Sequence, residues 1–189
     1  MADASVRPAR AADVAEIARI QVDTWRVGYA RLLPAEVLAS VAAEQAEGRW
    51  AAAVAAPPSP RHHVLLACEG QAVVGFVAFG PVDPDDSDDA AGAFAGEDEP
   101  PAPGAVGMVL ILLVEPRWGR RGHGSRLLTA AVDLMRADGS THALAWVPEA
   151  DAASISLYGS AGWEPDGYVR ALDADGHQFR EIRLHTRLD

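Results

Sequence analysis

The sequence contains no lysine, so all 16 of its basic residues are arginines, and they face 27 acidic residues for a formal net charge of −11. Nucleic acids and anionic membranes are bound through broad basic surfaces. The charge therefore argues against both, and we expect no nucleic acid and no membrane among the partners. Small cationic partners remain compatible with it.

Cysteine is nearly absent as well. The single Cys68 cannot form an internal disulfide, which excludes a disulfide-stabilised secreted scaffold. Its apolar surroundings, VLLACEG, favour a buried core thiol over a nucleophile. No apolar run approaches the roughly 18 residues that span a bilayer, and the first letters, MADASVRPAR, contain no apolar secretory segment. We therefore expect a cytoplasmic protein.

The length of 189 residues, with 49% hydrophobic and 23% charged content, is typical of one globular domain with a sizeable core. We expect residues 1–189 to form a single domain. Within it, the segment 81–104 is rich in Asp, Glu, Pro, Gly and Ala and has no periodicity, which predicts a long mobile acidic loop. Its carboxylates could attract a cation, but the ligand spacing of a calcium loop is absent, and we predict no metal site.

The stretch from 106 to 136 combines a strand, a turn and a helix. Residues 106–114 are apolar apart from Gly107, which predicts a buried strand. Residues 119–125 contain three glycines and three basic residues, and apolar residues recur at helical spacing from Arg126. Unpaired N–H groups at a positive helix end bind phosphates. The alternative is a plain connection with solvated arginines.

Periodicity, capping residues and turn residues predict the other elements. The predicted strands are 5–8, 63–68, 72–79, 142–147, 167–172 and 179–188. Predicted helices begin near Asp13, cover 34–46, and run from Asp151 to about Ser160. The element order is therefore β-α-α-β-β-β-α-β-α-β-β, an α/β (α+β) arrangement.

Three segments of the chain resemble the GNAT superfamily, the acyl-coenzyme A-dependent N-acetyltransferases. They are LLVEPRWGRRGHGSRLL (112–128), DAASISLYGSAGW (151–163) and the N-terminal VRPARAADVAEIARIQVDTWRVGYARLLP. The family's central motif ends in Gly, one residue, then Gly or Ala, which Gly122 and Gly124 match. Gly119 stands where Gln or Arg is usual. The resemblance implies a mixed central sheet of about six to seven strands with helices on both faces, and acetyl-coenzyme A (acetyl-CoA) as the cofactor.

The resemblance also implies where the cofactor binds. The turn and helix start would hold the diphosphate through backbone N–H groups and forked arginine donors, with Arg120 or Arg121 replacing the donor missing at Gly119. The preceding strand would hold the pantetheine arm by backbone hydrogen bonds, opposite Trp146. The predicted cofactor-binding residues are Leu112, Leu113, Val114, Arg120, Arg121, Gly122, His123, Gly124, Ser125, Arg126, Asp151 and Tyr158. The motifs of P-loops and of dinucleotide-binding folds are absent.

Tyr158 matches the family's tyrosine and is predicted to be catalytic, as the general acid for the departing thiolate. Asp151 replaces the asparagine that commonly precedes it. Met108 stands near the place of the usual glutamate base and cannot accept a proton. The candidates for the base are His62, His63, the acidic loop and bulk water.

The predicted function is transfer of an acetyl group from acetyl-CoA to a primary amine of a small molecule or peptide, by direct attack in a ternary complex. Trp25 and Tyr29, at the junction after the first helix, are predicted to bind this substrate. The alternative is an acyl-coenzyme A binding or sensing module without efficient turnover. The family resemblance also allows a homodimer through C-terminal edge strands.

Overall fold

The computed structural model describes residues 4–28, 30, 43–83, 92–94, 101–102, 104–174 and 176–188. The strands are β1 (Ala4–Pro8), β2 (His63–Glu69), β3 (Ala72–Pro81), β4 (Val106–Val114), β5 (His142–Pro148), β6 (Glu164–Ala174) and β7 (His177–Arg187). The α-helices are α1 (Val14–Gly28), α2 (Ala43–Ala55), α3 (His123–Ala137) and α4 (Ala152–Ser160). The order of these elements is the predicted one.

The strands form one seven-stranded sheet in the order β1-β2-β3-β4-β5-β7-β6, which confirms the predicted mixed sheet. All neighbours are antiparallel except β4 and β5, which are parallel. Alternate residues of β2 face opposite sides: Leu65 and Ala67 pack in the cluster that includes α3, whereas Leu66 and Cys68 pack against α1. Because both faces are covered, the central strands are apolar almost throughout.

A bulge in β4 and an early end of its pairing with β5 shape the middle of the sheet. Phe79 pairs with Val109 and Ala78 with Ile111, so Leu110 is the extra residue, and it is 56% exposed. The parallel ladder ends where Val109 pairs with Ala145, although β4 continues to Val114 and β5 to Pro148. The two strands therefore diverge, and backbone groups on both sides of the gap lack strand partners.

Two predictions about the chain need correction or restriction. The helix predicted for 34–46 lies largely outside the described residues, and α2 continues well beyond Ala46, to Ala55. Most of the predicted acidic loop 81–104 also lies outside them, but Phe94 is fully buried, with ring centroids 4.5 Å from His142 and 5.4 Å from His185. At that point the segment packs on the sheet and is not solvated. In the described ranges, no helix is long and apolar enough to cross a membrane.

The packing of α2 on the sheet involves Trp50, and it confirms the predicted burial of Cys68. Trp50 lies edge-on to Phe76 at 5.0 Å and donates its indole N–H to Gln21 Oε1 at 2.7 Å, so it is part of the interface between α2 and the sheet. Cys68 is a free, buried thiol in the same region. The helices on this face, α1 and α2, also cover Ile111 and Leu113 of β4.

Candidate active site

The turn that precedes α3 contains two residues in the left-handed backbone region. Arg120 has a φ of 62°, and Gly122, the residue that caps α3, has a φ of 79° and ψ of 9°. Gly122 provides no side-chain hydrogen bond to the helix start, and the first intrahelical bond runs from Arg126 N to Gly122 O at 3.1 Å. The N–H groups of His123, Gly124 and Ser125 are therefore available to an anion at the positive helix end.

The arginines of the turn lie at its surface and keep donors free. Arg121 stacks on the Trp118 ring at 4.8 Å and pairs with Glu69 at 3.3 Å. Arg126 Nη1 donates to Arg121 O at 3.0 Å. Because a guanidinium has five N–H donors, these contacts orient both side chains and leave further donors for phosphate oxygens.

The side chain of His123 points away from the solvent side of the turn, back towards the sheet. It is 2% exposed, and its Nε2 lies 2.9 Å from Glu69 Oε2. Its Nδ1 is buried and has no hydrogen-bond partner in the described part of the chain. The sequence alone does not indicate this contact, because no linear pattern connects two positions 54 residues apart.

Gly124 is the point at which α3, α4 and β4 meet. A Cβ atom at Gly124 would lie 3.1 Å from Leu157 Cδ2 and 3.9 Å from Leu112 Cδ2. The structure therefore brings Leu112 of the predicted pantetheine strand next to the predicted diphosphate turn. It also places the open backbone of residues 112–114 along the gap between β4 and β5.

Tyr158 lies in α4, one residue after Leu157. It is 4% exposed and lies edge-on to Trp163 at 5.0 Å. Burial, and secondarily the charge of Asp151, raise the pKa of Tyr158 far above that of an ordinary phenol. The hydroxyl therefore keeps its proton well above neutral pH and is available as a hydrogen-bond donor to an anionic group.

Asp151 performs a structural task at the start of α4. Its carboxylate accepts hydrogen bonds from Ser154 N at 3.0 Å and from Ser154 Oγ at 2.6 Å, which caps the helix. These contacts hold the helix that carries Tyr158. The predicted role of Asp151 in cofactor binding stays a prediction.

Glu115, which follows β4, joins the turn to α1. It is 7% exposed and accepts hydrogen bonds from Arg19 Nη1 at 2.8 Å and Arg117 Nε at 2.9 Å. Burial by itself would raise the pKa of Glu115, but the two guanidinium groups outweigh it and lower that pKa below its ordinary value. Arg19 also pairs with Glu16 at 2.6 Å, so the pair belongs to a wider charged network on α1.

Trp146 is the first residue of β5 beyond the parallel ladder. It alternates with Ala145 and Val147, which face the α3 side, so its ring lies on the α1 face. Arg170 stacks on this ring at 4.4 Å, and Arg183 lies 5.6 Å from its centroid. Arg183 also pairs with Asp166 at 2.5 Å. Trp146 is thus held in place at the mouth of the strand gap.

The predicted substrate residues can be located only in part. Trp25 is half-buried near the end of α1, the helix that packs on the same face as Trp146. Tyr29 lies outside the described residues. Met108 packs beside Phe94 and Leu144, so this position supplies no proton acceptor.

Neither histidine proposed as a base reaches the turn. His63 Nε2 lies 2.8 Å from Asp138 Oδ2 at the C-terminal end of α3, roughly 20 Å from the helix start by the rise of 15 residues. His62 hydrogen-bonds to Ser59 Oγ at 2.8 Å beside it. The acidic residues between Asp85 and Glu99 lie outside the described ranges. His62 also lies beside Gly80, which pairs with Met108 of β4, so His62 and water both stay candidates for the base.

Comparison with known proteins agrees with this geometry. The uncharacterized N-acetyltransferase YuaI of Bacillus subtilis is 26% identical over 151 residues, which cover 80% of this chain and 75% of YuaI. The PaiA N-acetyltransferase of Thermoplasma acidophilum, crystallised with coenzyme A, superposes with a TM-score of 0.68 at 15% identity, covering 98% of this chain and 99% of PaiA. YncA, a putative acetyltransferase of Salmonella typhimurium crystallised with acetyl-CoA, has a TM-score of 0.66 at 20% identity, covering 98% and 94%.

The family model described as acetyltransferase (GNAT) family matches residues 14–163. This range runs from the start of α1 through the turn and α3 to the end of the α4 segment. The chain belongs to the GNAT acetyltransferase family.

Proposed function

We propose that this protein transfers the acetyl group of acetyl-CoA to a primary amine of a small molecule or peptide. One observation carries the proposal: the uncapped, left-handed start of α3 lies at the same end of the sheet as the gap between β4 and β5. The free N–H groups at the helix start can bind a diphosphate, and the unpaired strand backbone in the gap can bind an extended arm that contains amides. Their juxtaposition fits coenzyme A, which contains both groups.

The residues present fit the cofactor in charge and in hydrogen bonding. The open N–H groups of residues 123–125 and the exposed guanidinium groups of Arg120, Arg121 and Arg126 would hold the diphosphate. Backbone groups of residues 112–114 would hold the pantetheine arm. When bound, acetyl-CoA supplies a thioester whose acetyl group is activated for transfer.

Tyr158 is the residue that we assign to the leaving thiolate. Its pKa is raised by burial, so complete proton transfer to a thiolate, whose conjugate thiol has a pKa of about 8.5, is uphill. Tyr158 would instead stabilise the developing negative charge on sulfur by donating a hydrogen bond. This refines the prediction of a general acid: the phenol donates a hydrogen bond, and solvent supplies the final proton.

The attacking amine must lose its proton before it can attack. Met108 cannot accept that proton, so we assign the task to His62, which lies beside Gly80, the strand partner of Met108, or to water. The amine would enter from the α1 face, past Trp25 and Trp146. The net charge of −11 favours the approach of cationic acceptors. β6 is an edge strand, and a homodimer through it is part of this proposal.

The experiment is a screen of amines with acetyl-CoA and the purified protein, following release of free thiol and confirming the acetylated product by mass. The proposal predicts turnover of at least one amine, with coenzyme A binding by calorimetry. In parallel, coenzyme A at about 100 times its Kd should stabilise the fold by about 2.7 kcal/mol.

The alternative, a module that binds or senses acyl-coenzyme A, is favoured by Met108 in place of a base. It predicts the same binding and the same stabilisation but no turnover with any amine class. A protein that fails to bind coenzyme A would refute both hypotheses.

A further inference from the structure

Two carboxylate–histidine pairs connect strand β2 to helix α3, one at each end of the helix. At one end His63 of β2 lies 2.8 Å from Asp138, which follows α3. At the other end Glu69 of β2 lies 2.9 Å from His123, the first residue of α3. The second pair is the more buried, with side-chain exposures of 2% and 15% against 27% and 25%.

Glu69 accepts a second side-chain hydrogen bond, whereas Asp138 has no such second contact in the described structure. Its Oε1 accepts a hydrogen bond from Arg121 Nη1 at 3.3 Å, while Oε2 faces His123. Arg121 and His123 are the two neighbours of Gly122. One carboxylate of the sheet therefore contacts the chain on both sides of Gly122, the left-handed residue that caps α3.

The turn that Glu69 contacts is strained. Arg120 is held at a φ of 62°, the one non-glycine residue with positive φ in the described ranges. Such conformations cost roughly 1–3 kcal/mol and persist only where surrounding contacts hold them. The stacking of Arg121 on Trp118, which packs against the core cluster between the sheet and α3, also restrains the turn. Glu69 adds hydrogen bonds from the sheet to both sides of Gly122.

We propose that Glu69 is a positioning residue for cofactor binding, which keeps the N–H groups at the start of α3 aligned for a diphosphate. The inference rests on the proposed function, since it assumes that the diphosphate lies at this turn. Electrostatic repulsion alone predicts the opposite change in coenzyme A affinity when Glu69 is replaced. A carboxylate beside an anion site repels the anion, so removing its charge would tighten binding if Glu69 had no positioning role.

The test measures the Kd of coenzyme A by calorimetry for the full-length protein with Glu69→Ala, Glu69→Gln and Asp138→Asn. We expect Glu69→Ala to raise the Kd about tenfold, as expected for losing hydrogen bonds to charged groups, and Glu69→Gln, which keeps one acceptor, to raise it less. Asp138→Asn weakens the matched pair at the far end of α3 and should leave the Kd unchanged. In turnover assays, Glu69→Ala should raise the KM for acetyl-CoA and keep kcat at saturation, because Glu69 does not touch the reacting atoms.

A Kd for Glu69→Ala that is unchanged or lower than that of the wild type would overturn the inference. An equal effect of Asp138→Asn would also overturn it, because the loss would then follow helix stability and not the turn. Gly124→Glu separates this failure from failure of the proposed function. If Gly124→Glu abolishes binding and Glu69→Ala does not weaken it, only the role of Glu69 is wrong; if neither weakens binding, the diphosphate lies elsewhere.

Discussion

Val109 and Ala145 form the last pair of the parallel ladder between β4 and β5, and the residue after Val109 in β4 is the bulged Leu110. A bulge bends its strand and increases the local twist, so it turns β4 away from β5 at this point. The gap that results lies beside the N-terminus of α3, where Gly124 contacts the Leu112 region. This relationship, more than any single side chain, supports the proposal that coenzyme A binds at the centre of the sheet.

Gly124→Glu should abolish coenzyme A binding. The new side chain would start 3.1 Å from Leu157 and would place a negative charge at the anion site. We expect a fall in affinity of at least about 100-fold by calorimetry. Gly48→Glu is the control, because Gly48, like Gly124, lies within a helix, and an added Cβ atom there meets nothing within 4 Å. Unchanged affinity in Gly124→Glu would contradict the placement of the diphosphate.

Arg120→Gly should separate backbone strain from side-chain donation. Glycine adopts positive φ without strain, which recovers about 1–2 kcal/mol, partly offset by the greater freedom of glycine in the unfolded chain. We expect an equal or higher Tm together with about tenfold weaker coenzyme A binding, because the guanidinium donors are lost. Arg120→Ala should lose the same affinity without the gain in Tm. If both variants bind as the wild type does, Arg120 is not a phosphate donor.

Tyr158→Phe should lower kcat about 100-fold and leave the Kd of coenzyme A unchanged. Because burial raises the pKa of Tyr158, the phenol stays protonated, and the ratio of the two kcat values should be constant from pH 6 to about pH 10. The measurement is a pH profile of kcat for both proteins with one accepted amine. A wild-type profile that loses activity with a Tyr158-dependent pKa near neutrality would contradict this assignment.

Glu115→Gln should destabilise the protein by about 2 kcal/mol at pH 7, since two guanidinium groups lose a buried carboxylate. The pKa of Glu115 is lowered in the folded state, so its stabilising effect is present above the unfolded-state value of about 4.3 and is lost as pH falls through the lowered pKa. Urea denaturation at pH 7 and at pH 3 should show the difference from the wild type shrinking with acidification. A constant difference at both pH values would show that packing, and not charge, stabilises this position.

Much of the secondary structure can be predicted from the sequence because it depends on patterns of neighbouring residues. The apolar runs of β2 to β5, the glycines of the turn and the helical spacing after Arg126 are each patterns within a few residues. They predicted the order of the elements that the structure describes, and the anion-binding role of the turn stays a prediction. The helix predicted for 34–46 lies largely outside the described residues, and α2 runs on to Ala55, with its Trp50 packed on Phe76 of the sheet.

The linear sequence determined the excess of acidic residues, the absence of lysine and the Gly-rich basic turn, and it predicted an anion-binding turn from them, since charge and backbone chemistry are properties of the residues themselves. The tertiary structure alone decided the contact of Glu69 with His123, the burial of Phe94 under His142 and His185, and the gap beyond Val109 and Ala145. These features join residues that are distant in the chain. They follow from strand register and the bulge at Leu110, which no local pattern specifies.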